Sequence, residues 1–187
     1  MVSVPFALTG TPGTGKKTVA PLLAHALGLR LLALNDLAGR EHAVDTKKLR
    51  ARMLREDLSG TLLTGHLLPE VLRRGEAGFV AVLRCEPSRL KKRLQARGYT
   101  GEKVVANVEA ELIGVVLDAA LRAFGETAVR EYDGTSATPV SLAKRIAHDY
   151  EGRVVHTGTW TDWTLRYDSS TRLRSLLSTP RTEPAST

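Results

Sequence analysis

This sequence is short of three things: it has one cysteine, no long apolar run and no excess of acidic residues. Each shortage removes a class of protein. Cys85 has no second cysteine to pair with, so an internal disulfide is excluded and a thiolate metal site is disfavoured; the residue is read as packing. The longest apolar runs, such as Phe79 to Leu83 and Leu112 to Leu117, fall far below the roughly 20 residues that a membrane-spanning helix needs. The first residues, Met1-Val-Ser-Val-Pro5, carry neither a basic leader ahead of an apolar stretch nor a small-residue cleavage site, and a cytoplasmic protein is expected. No internal repeat is found.

What is present suits one globular domain with a real core: 187 residues, 42% hydrophobic and 25% charged. Lysine and arginine number 27 against 20 acidic residues, and the resulting +7 favours anionic partners: nucleotides, RNA or an acidic protein surface. Between Arg84 and Lys103 lie seven basic residues (Arg84, Arg89, Lys91, Lys92, Arg93, Arg97 and Lys103) against only Glu86 and Glu102. This stretch is expected to serve ligands rather than only solubility. A second cluster, Lys47, Lys48, Arg50, Arg52 and Arg55, falls on a predicted helix and is read as a solvated face.

Pro5 to Thr9 is a short apolar run ending at glycines, followed by an amphipathic stretch from Gly15 to Leu27 that stops at Gly28: strand, loop, helix. Further strands are predicted at Leu29 to Leu34, Thr61 to Leu63, Phe79 to Leu83 and Val129 to Tyr132. Helical spacing covers Ser88 to Ala96, Glu102 to Phe124 and Val140 to Tyr150. Strands alternating with helices imply an α/β fold, a mostly parallel central sheet with helices on both faces. The domain is expected to span residues 1–168. The tail from Ser169 to Thr187 is rich in Ser, Thr, Pro and Arg, and is expected to be flexible.

Residues 10–16, Gly10-Thr-Pro-Gly-Thr-Gly15-Lys16, fit G-x-x-x-x-G-K after a buried strand and at the first turn of a helix, the context in which the pattern forms a P-loop. The glycines let successive backbone N–H groups point at phosphate oxygens, the helix start adds its positive partial charge, and Lys16 reaches the outer phosphates. Two features depart from the ideal. Lys17 stands where a Ser or Thr hydroxyl usually binds Mg²⁺, with Thr18 following. Pro21 lies past the first turn, where it removes an intrahelical bond and is expected to bend the helix.

With the loop placed, further motifs follow in order: Leu34-Asn-Asp-Leu-Ala38, Thr64-Gly-His66, Val82-Leu-Arg-Cys-Glu-Pro87, Arg97-Gly-Tyr99, Lys103 with Asn107 and Glu111, and Trp160-Thr-Asp-Trp163. Together with Thr9 to Lys16 they resemble the adenylate-kinase-like family of ribosome-assembly ATPases, over most of the chain. The resemblance implies a nucleoside monophosphate kinase type of P-loop NTPase with a short lid. It also implies ATP and Mg²⁺ as cofactors, ATPase activity, and a part in late small-subunit maturation and rRNA processing. The implied partner is a platform ribosomal protein bound transiently, with pre-rRNA as a further candidate contact.

Carried onto this sequence, the resemblance assigns Gly13, Thr14, Gly15, Lys16, Lys17 and Thr18 to the triphosphate loop, and Asn35 with Asp36 to the start of the monophosphate segment. Arg97 matches the lid arginine. A guanidinium over the phosphates neutralises charge on the transferring group, and the alternative is a surface arginine at a helix end. His66 follows a strand end and a glycine, a usual place for a residue that meets phosphates, and is expected to orient water or metal. Thr64 stands where the family has an acidic residue, so the metal ligands are weakened twice, at Lys17 and at Thr64. Trp160 and Trp163 are either a docking surface or a packed lid, with packing favoured.

The expected activity is phosphoryl transfer from ATP to AMP or a related monophosphate, catalysed through Lys16, His66 and Arg97, with the departures casting doubt on its efficiency. The rivals are a nucleotide-gated assembly chaperone with weak catalysis, and a small-metabolite kinase.

Overall fold

Strand β1 (Phe6–Thr9) is buried at every position, which requires a sheet covered on both faces. A computed structural model describes residues 4–38, 45–156 and 158–178. Strands β2 (Arg30–Ala33), β3 (Thr61–Thr64), β4 (Phe79–Arg84) and β5 (Val129–Asp133) join β1 in one sheet. Its order is β2-β3-β1-β4-β5, and every neighbouring pair is parallel. The helices are α1 (Lys16–Leu27), α2 (Leu34–Ala38), α3 (Thr46–Met53), α4 (Leu68–Val71), α5 (Pro87–Ala96), α6 (Gly101–Leu112), α7 (Val115–Phe124), α8 (Pro139–Glu151) and α9 (Ser170–Leu177), with a 3₁₀ turn at Trp163–Arg166. This is the α/β P-loop kinase fold, and its ligand crevice lies at the carboxyl ends of the strands. No helix among the described residues is long and apolar enough to cross a membrane.

Side chains of a strand alternate between faces, so each central strand feeds two cores. Phe6, Leu8, Ala81 and Leu83 pack with Val19 and Leu23 of α1 and with Leu142 and Ile146 of α8. Ala7, Val80 and Val82 pack on the other face with residues of α3, α4 and α7, among them Leu49, Leu68 and Phe124. A third cluster joins α5, α6 and α9 through Leu90, Leu94, Val104, Val108 and Leu176, and takes in Cys85 and Trp163. Both the packing of Cys85 and the packing of Trp163 follow the sequence reading. Trp160 is half-buried and stacks on His156 at 3.8 Å between ring centroids. Helix α1 continues through Pro21.

Three expectations change. The stretch from Glu102 to Phe124 is two helices, because Gly114 adopts φ +69° and turns the chain between α6 and α7. Leu34 leaves the edge strand and opens α2, where it is buried against the second core. The expected flexible tail is a helix over Ser170–Leu177: Ser169 caps it through Arg172 N–H, and Leu176 supplies the apolar anchor against α5 and α6. The rest of that tail, from residue 179, lies outside the described residues.

Gly114→Ala should cost about 1 kcal/mol of stability in urea unfolding, the expense of holding an L side chain in the left-handed region. A Cβ there meets only Arg84, with Nη2 at 3.8 Å, so a loss several times larger would mean that the site is sterically closed and this account is wrong.

Candidate functional site

The loop after β1 turns on Gly10, Gly13 and Gly15, at φ +140°, +97° and +115°, where L side chains are strained. Two of the three also lack room. A Cβ on Gly10 would stand 2.3 Å from the Leu83 carbonyl oxygen, and one on Gly13 would stand 2.6 Å from Leu90 Cδ1. The loop is therefore seated on the end of β4 and against α5. The carbonyl of Thr11 gathers its bonds, accepting from Thr14 N–H at 3.2 Å, Thr14 Oγ1 at 2.9 Å and Lys16 Nζ at 3.0 Å. Lys16 Nζ also donates to the Gly10 carbonyl. Such a loop at a helix start is an anion cradle, and its lysine is closed over the loop's own carbonyls.

Two hollows flank this loop. The larger, about 630 Å³, is lined by Lys16, Lys17, Arg97, Lys103, Asn35 and His66. Tyr99 and Asn107 also line it, and Lys103 Nζ lies 6.0 Å from the centre of the Tyr99 ring. The smaller, about 200 Å³, is bounded by Thr14, Thr18, Arg93, Pro139 and Leu142. Gly13, Gly15 and Arg97 line both. Thr18 Oγ1 donates to the Gly15 carbonyl at 2.7 Å. The residues singled out in the sequence thus converge, with one exception. Asp36 is exposed and outside the cavity lining although Asn35 is within it, because successive residues of a helix such as α2 face different ways.

Charge in the larger hollow is one-sided. Lys16 is half-buried with its ammonium bonded to the loop's carbonyls, and burial lowers its pKa from 10.5 to about 7; Glu111 opposes the shift and Arg97 adds to it. Desolvation, and then the Lys16 charge, also lower the pKa of His66, favouring a neutral imidazole able to accept as well as donate.

The basic stretch from Arg84 to Lys103 does not act as one ligand surface. Arg97 and Lys103 reach the cavity. Arg93 is occupied by the carbonyls of Gly134 and Thr135, both at 2.9 Å, and Lys91 by that of Ser175 at 2.9 Å. Arg84 is buried at 1% exposure, because its guanidinium bridges Glu111 at 2.8 Å and Glu131 at 2.7 Å. The second basic cluster departs from a wholly solvated face: Arg50 is half-buried and paired with Glu76 at 2.7 Å, and Arg52 donates to the carbonyls of Leu37 and Ala38 at 3.0 and 3.1 Å.

The buried Arg84–Glu111–Glu131 group was not found by reading for site chemistry. One signal was available, since Glu111 falls three and seven residues after the buried Val108 and Val104, an apolar-face position at which a charge needs a partner.

Mg²⁺ prefers oxygen ligands, carboxylates above all. The larger hollow presents four cations and no carboxylate, Lys17 and Thr64 replace the two customary ligands, and no group of three or more His, Cys, Asp or Glu able to hold a metal exists among the described residues. These residues do not fit Mg²⁺ as its ligands.

Residues 7–114 match the AAA domain family. A protein named "Putative adenylate kinase" from Thermococcus onnurineus is 35% identical over 174 residues, covering 87% of this chain and 93% of that protein. Its namesake from Thermococcus gammatolerans is 38% identical, covering 87% and 94%. In fold, shikimate kinase from Bacteroides thetaiotaomicron superposes with a TM-score of 0.54 at 16% identity, over 80% of this chain and 97% of that one.

His66 should titrate below its usual 6.5 in a proton NMR pH series, and Lys16→Met should move the midpoint up, since a positive neighbour has been removed. A midpoint unmoved by the substitution would separate the two residues and dissolve the cluster.

Proposed function

Because the chain belongs to the adenylate-kinase-like family of P-loop proteins, we propose that it transfers the terminal phosphate of ATP to AMP or a related nucleoside monophosphate. With water in the acceptor's place it hydrolyses ATP. The observation that carries this reading is that two hollows share Gly13, Gly15 and Arg97: a donor on one side and an acceptor on the other would meet at the loop.

In this reading the nucleoside of ATP occupies the smaller hollow near Thr18, Pro139 and Leu142, with its phosphates on the loop. Lys16 leaves the loop carbonyls for the outer phosphate oxygens, and Lys17 lies beside them. The acceptor enters the larger hollow past Asn35. An oxygen of its phosphate attacks the γ-phosphorus, the bond to the bridging oxygen breaks, and ADP leaves with that electron pair. Arg97 neutralises charge shared between entering and leaving oxygens, while neutral His66 orients the acceptor or a water. Positioning and preorganised charge supply the catalysis.

The biological setting we propose is late maturation of the small ribosomal subunit with rRNA processing, through transient binding of a platform ribosomal protein and contact with pre-rRNA. Its support is the run of motifs from Leu34-Asn-Asp through Trp160-Thr-Asp-Trp163, and the net charge of +7. A second reading, a nucleotide-gated assembly chaperone with weak catalysis, is favoured by the cleft that lacks a carboxylate.

A coupled assay offering AMP, CMP, shikimate or water decides among these: transfer to AMP supports the kinase, and tight ATP binding with negligible transfer supports the switch. Arg97→Ala should lower kcat about 10²-fold, as loss of a transition-state donor does, while leaving ATP affinity within about threefold. Wild-type kcat in that variant would return Arg97 to the surface. In pull-down, ATP should change the affinity for the platform ribosomal protein, since only differential binding shifts a switch; identical capture with and without ATP would refute the coupling.

A further inference from the structure

The loop has a second attachment that its own motif does not contain. Thr11 is 1% exposed, and its hydroxyl donates to Glu111 Oε2 at 2.5 Å. Glu111, also 1% exposed, offers Oε1 to Arg84 Nε at 2.8 Å and to the Cys85 N–H at 2.9 Å. Both carboxylate oxygens are occupied, so the orientation of Glu111 is set from the end of β4. Arg84 is held in turn by Glu131, whose other oxygen accepts from Thr161 N–H at 2.9 Å.

The groups bearing on Lys16 come from several elements. Glu111 on α6 is the acid among them, Arg97 at the end of α5 opposes it, and His66 after β3 is affected by Lys16 in turn. Lys17 and Lys103 line the same hollow. One carboxylate thus holds the loop by Thr11 and offsets a cluster of positive charge.

We propose that Glu111 is a positioning residue for nucleotide binding: it fixes the phosphate loop through the Thr11 hydroxyl and sets a buried negative charge behind Thr11, whose carbonyl holds Lys16 Nζ, without touching the nucleotide. This rests on the phosphate-loop reading. The two parts separate by substitution. Glu111→Gln keeps the shape, its amide oxygen accepting from Arg84 and the Cys85 N–H and its amide N–H donating to the Thr11 hydroxyl, but removes the charge. Thr11→Val keeps the ion pairs but removes the hydroxyl.

The sign follows from the lysine. Lys16 is charged below its pKa, and Glu111 raises that pKa, so losing the charge lowers it and the ammonium is lost at lower pH. ATP affinity, measured by calorimetry from pH 6 to 8.5 on the full chain, should be about tenfold weaker in Glu111→Gln than in wild type at pH 8, where the variant holds the smaller share of ammonium, with the gap closing towards pH 6. Titration of ATP itself is common to both proteins and cancels. Thr11→Val should lose about tenfold at every pH, and Thr11→Ser should restore binding.

A folded Glu111→Gln protein, checked by circular dichroism, that binds ATP as wild type does at every pH overturns the charge role, as does a loss of equal size throughout. Should Glu111→Gln not fold, Thr11→Val carries the test, and wild-type affinity in that variant overturns the anchoring role. Failure of the wild type to bind ATP at all would remove the phosphate-loop reading, and this inference with it.

Discussion

Arg84 stands at the carboxyl end of β4 with its guanidinium between two buried carboxylates, and the arrangement around the crevice depends on it. Its Nε meets Glu111, its Nη1 meets Glu131 and the Thr161 carbonyl, and its Nη2 meets the backbone carbonyl of Glu111. One side chain thereby holds α6, β5 and the segment leading to Trp163, whose ring lies 5.9 Å from Arg84 Cζ. Through Glu111 and Thr11 the same group reaches the phosphate loop. A buried ion pair of this kind adds little net stability, yet removing one partner costs about 3–5 kcal/mol. Its worth is in allowing only one relative placement of the segments that meet there. A planar guanidinium fork suits the task in a way that a lysine ammonium would not.

The same burial that secures the loop makes its lysine expensive to charge. Lys16 is half-buried against the loop's carbonyls and sits near Arg97, so its pKa falls to about 7 despite Glu111. Phosphate oxygens arriving in the cradle supply the missing counter-charge, which couples nucleotide binding to proton uptake at neutral pH. Lys17, Arg97 and Lys103 extend the positive field over the larger hollow, and a field of one sign in a cleft raises the encounter rate with anions. In place of the hydroxyl and carboxylate that usually hold a metal, this site offers fixed cations.

Much of the frame was legible from residue order. The phosphate loop, the five strands and the helices α1, α3, α5 and α8 follow from apolar runs, helical spacing and glycine position. The convergence of Lys16, His66, Asn35 and Arg97 follows from motif order. What was missed has a common character. Arg84 and Arg93 looked like members of one basic stretch serving ligands, Asp36 like a partner of Asn35, and Gly114 like an interior residue of one long helix. Each error came from treating neighbours in sequence as neighbours in role.

Local patterns settle local geometry: a glycine-rich turn between an apolar strand and an amphipathic helix is recognisable within residues 6–27, although the seat of that turn on β4, α5 and Glu111 is not. Burial and charge pairing have no such locality. Thr11 meets Glu111 across 100 positions, Arg84 meets Glu111 across 27, and Arg84 meets Glu131 across 47. Whether a given arginine greets a ligand, braces a loop or disappears into the core is decided by which carboxylates and carbonyls the folded sheet and helices bring within about 3 Å of it, because only a charge with such partners can leave water.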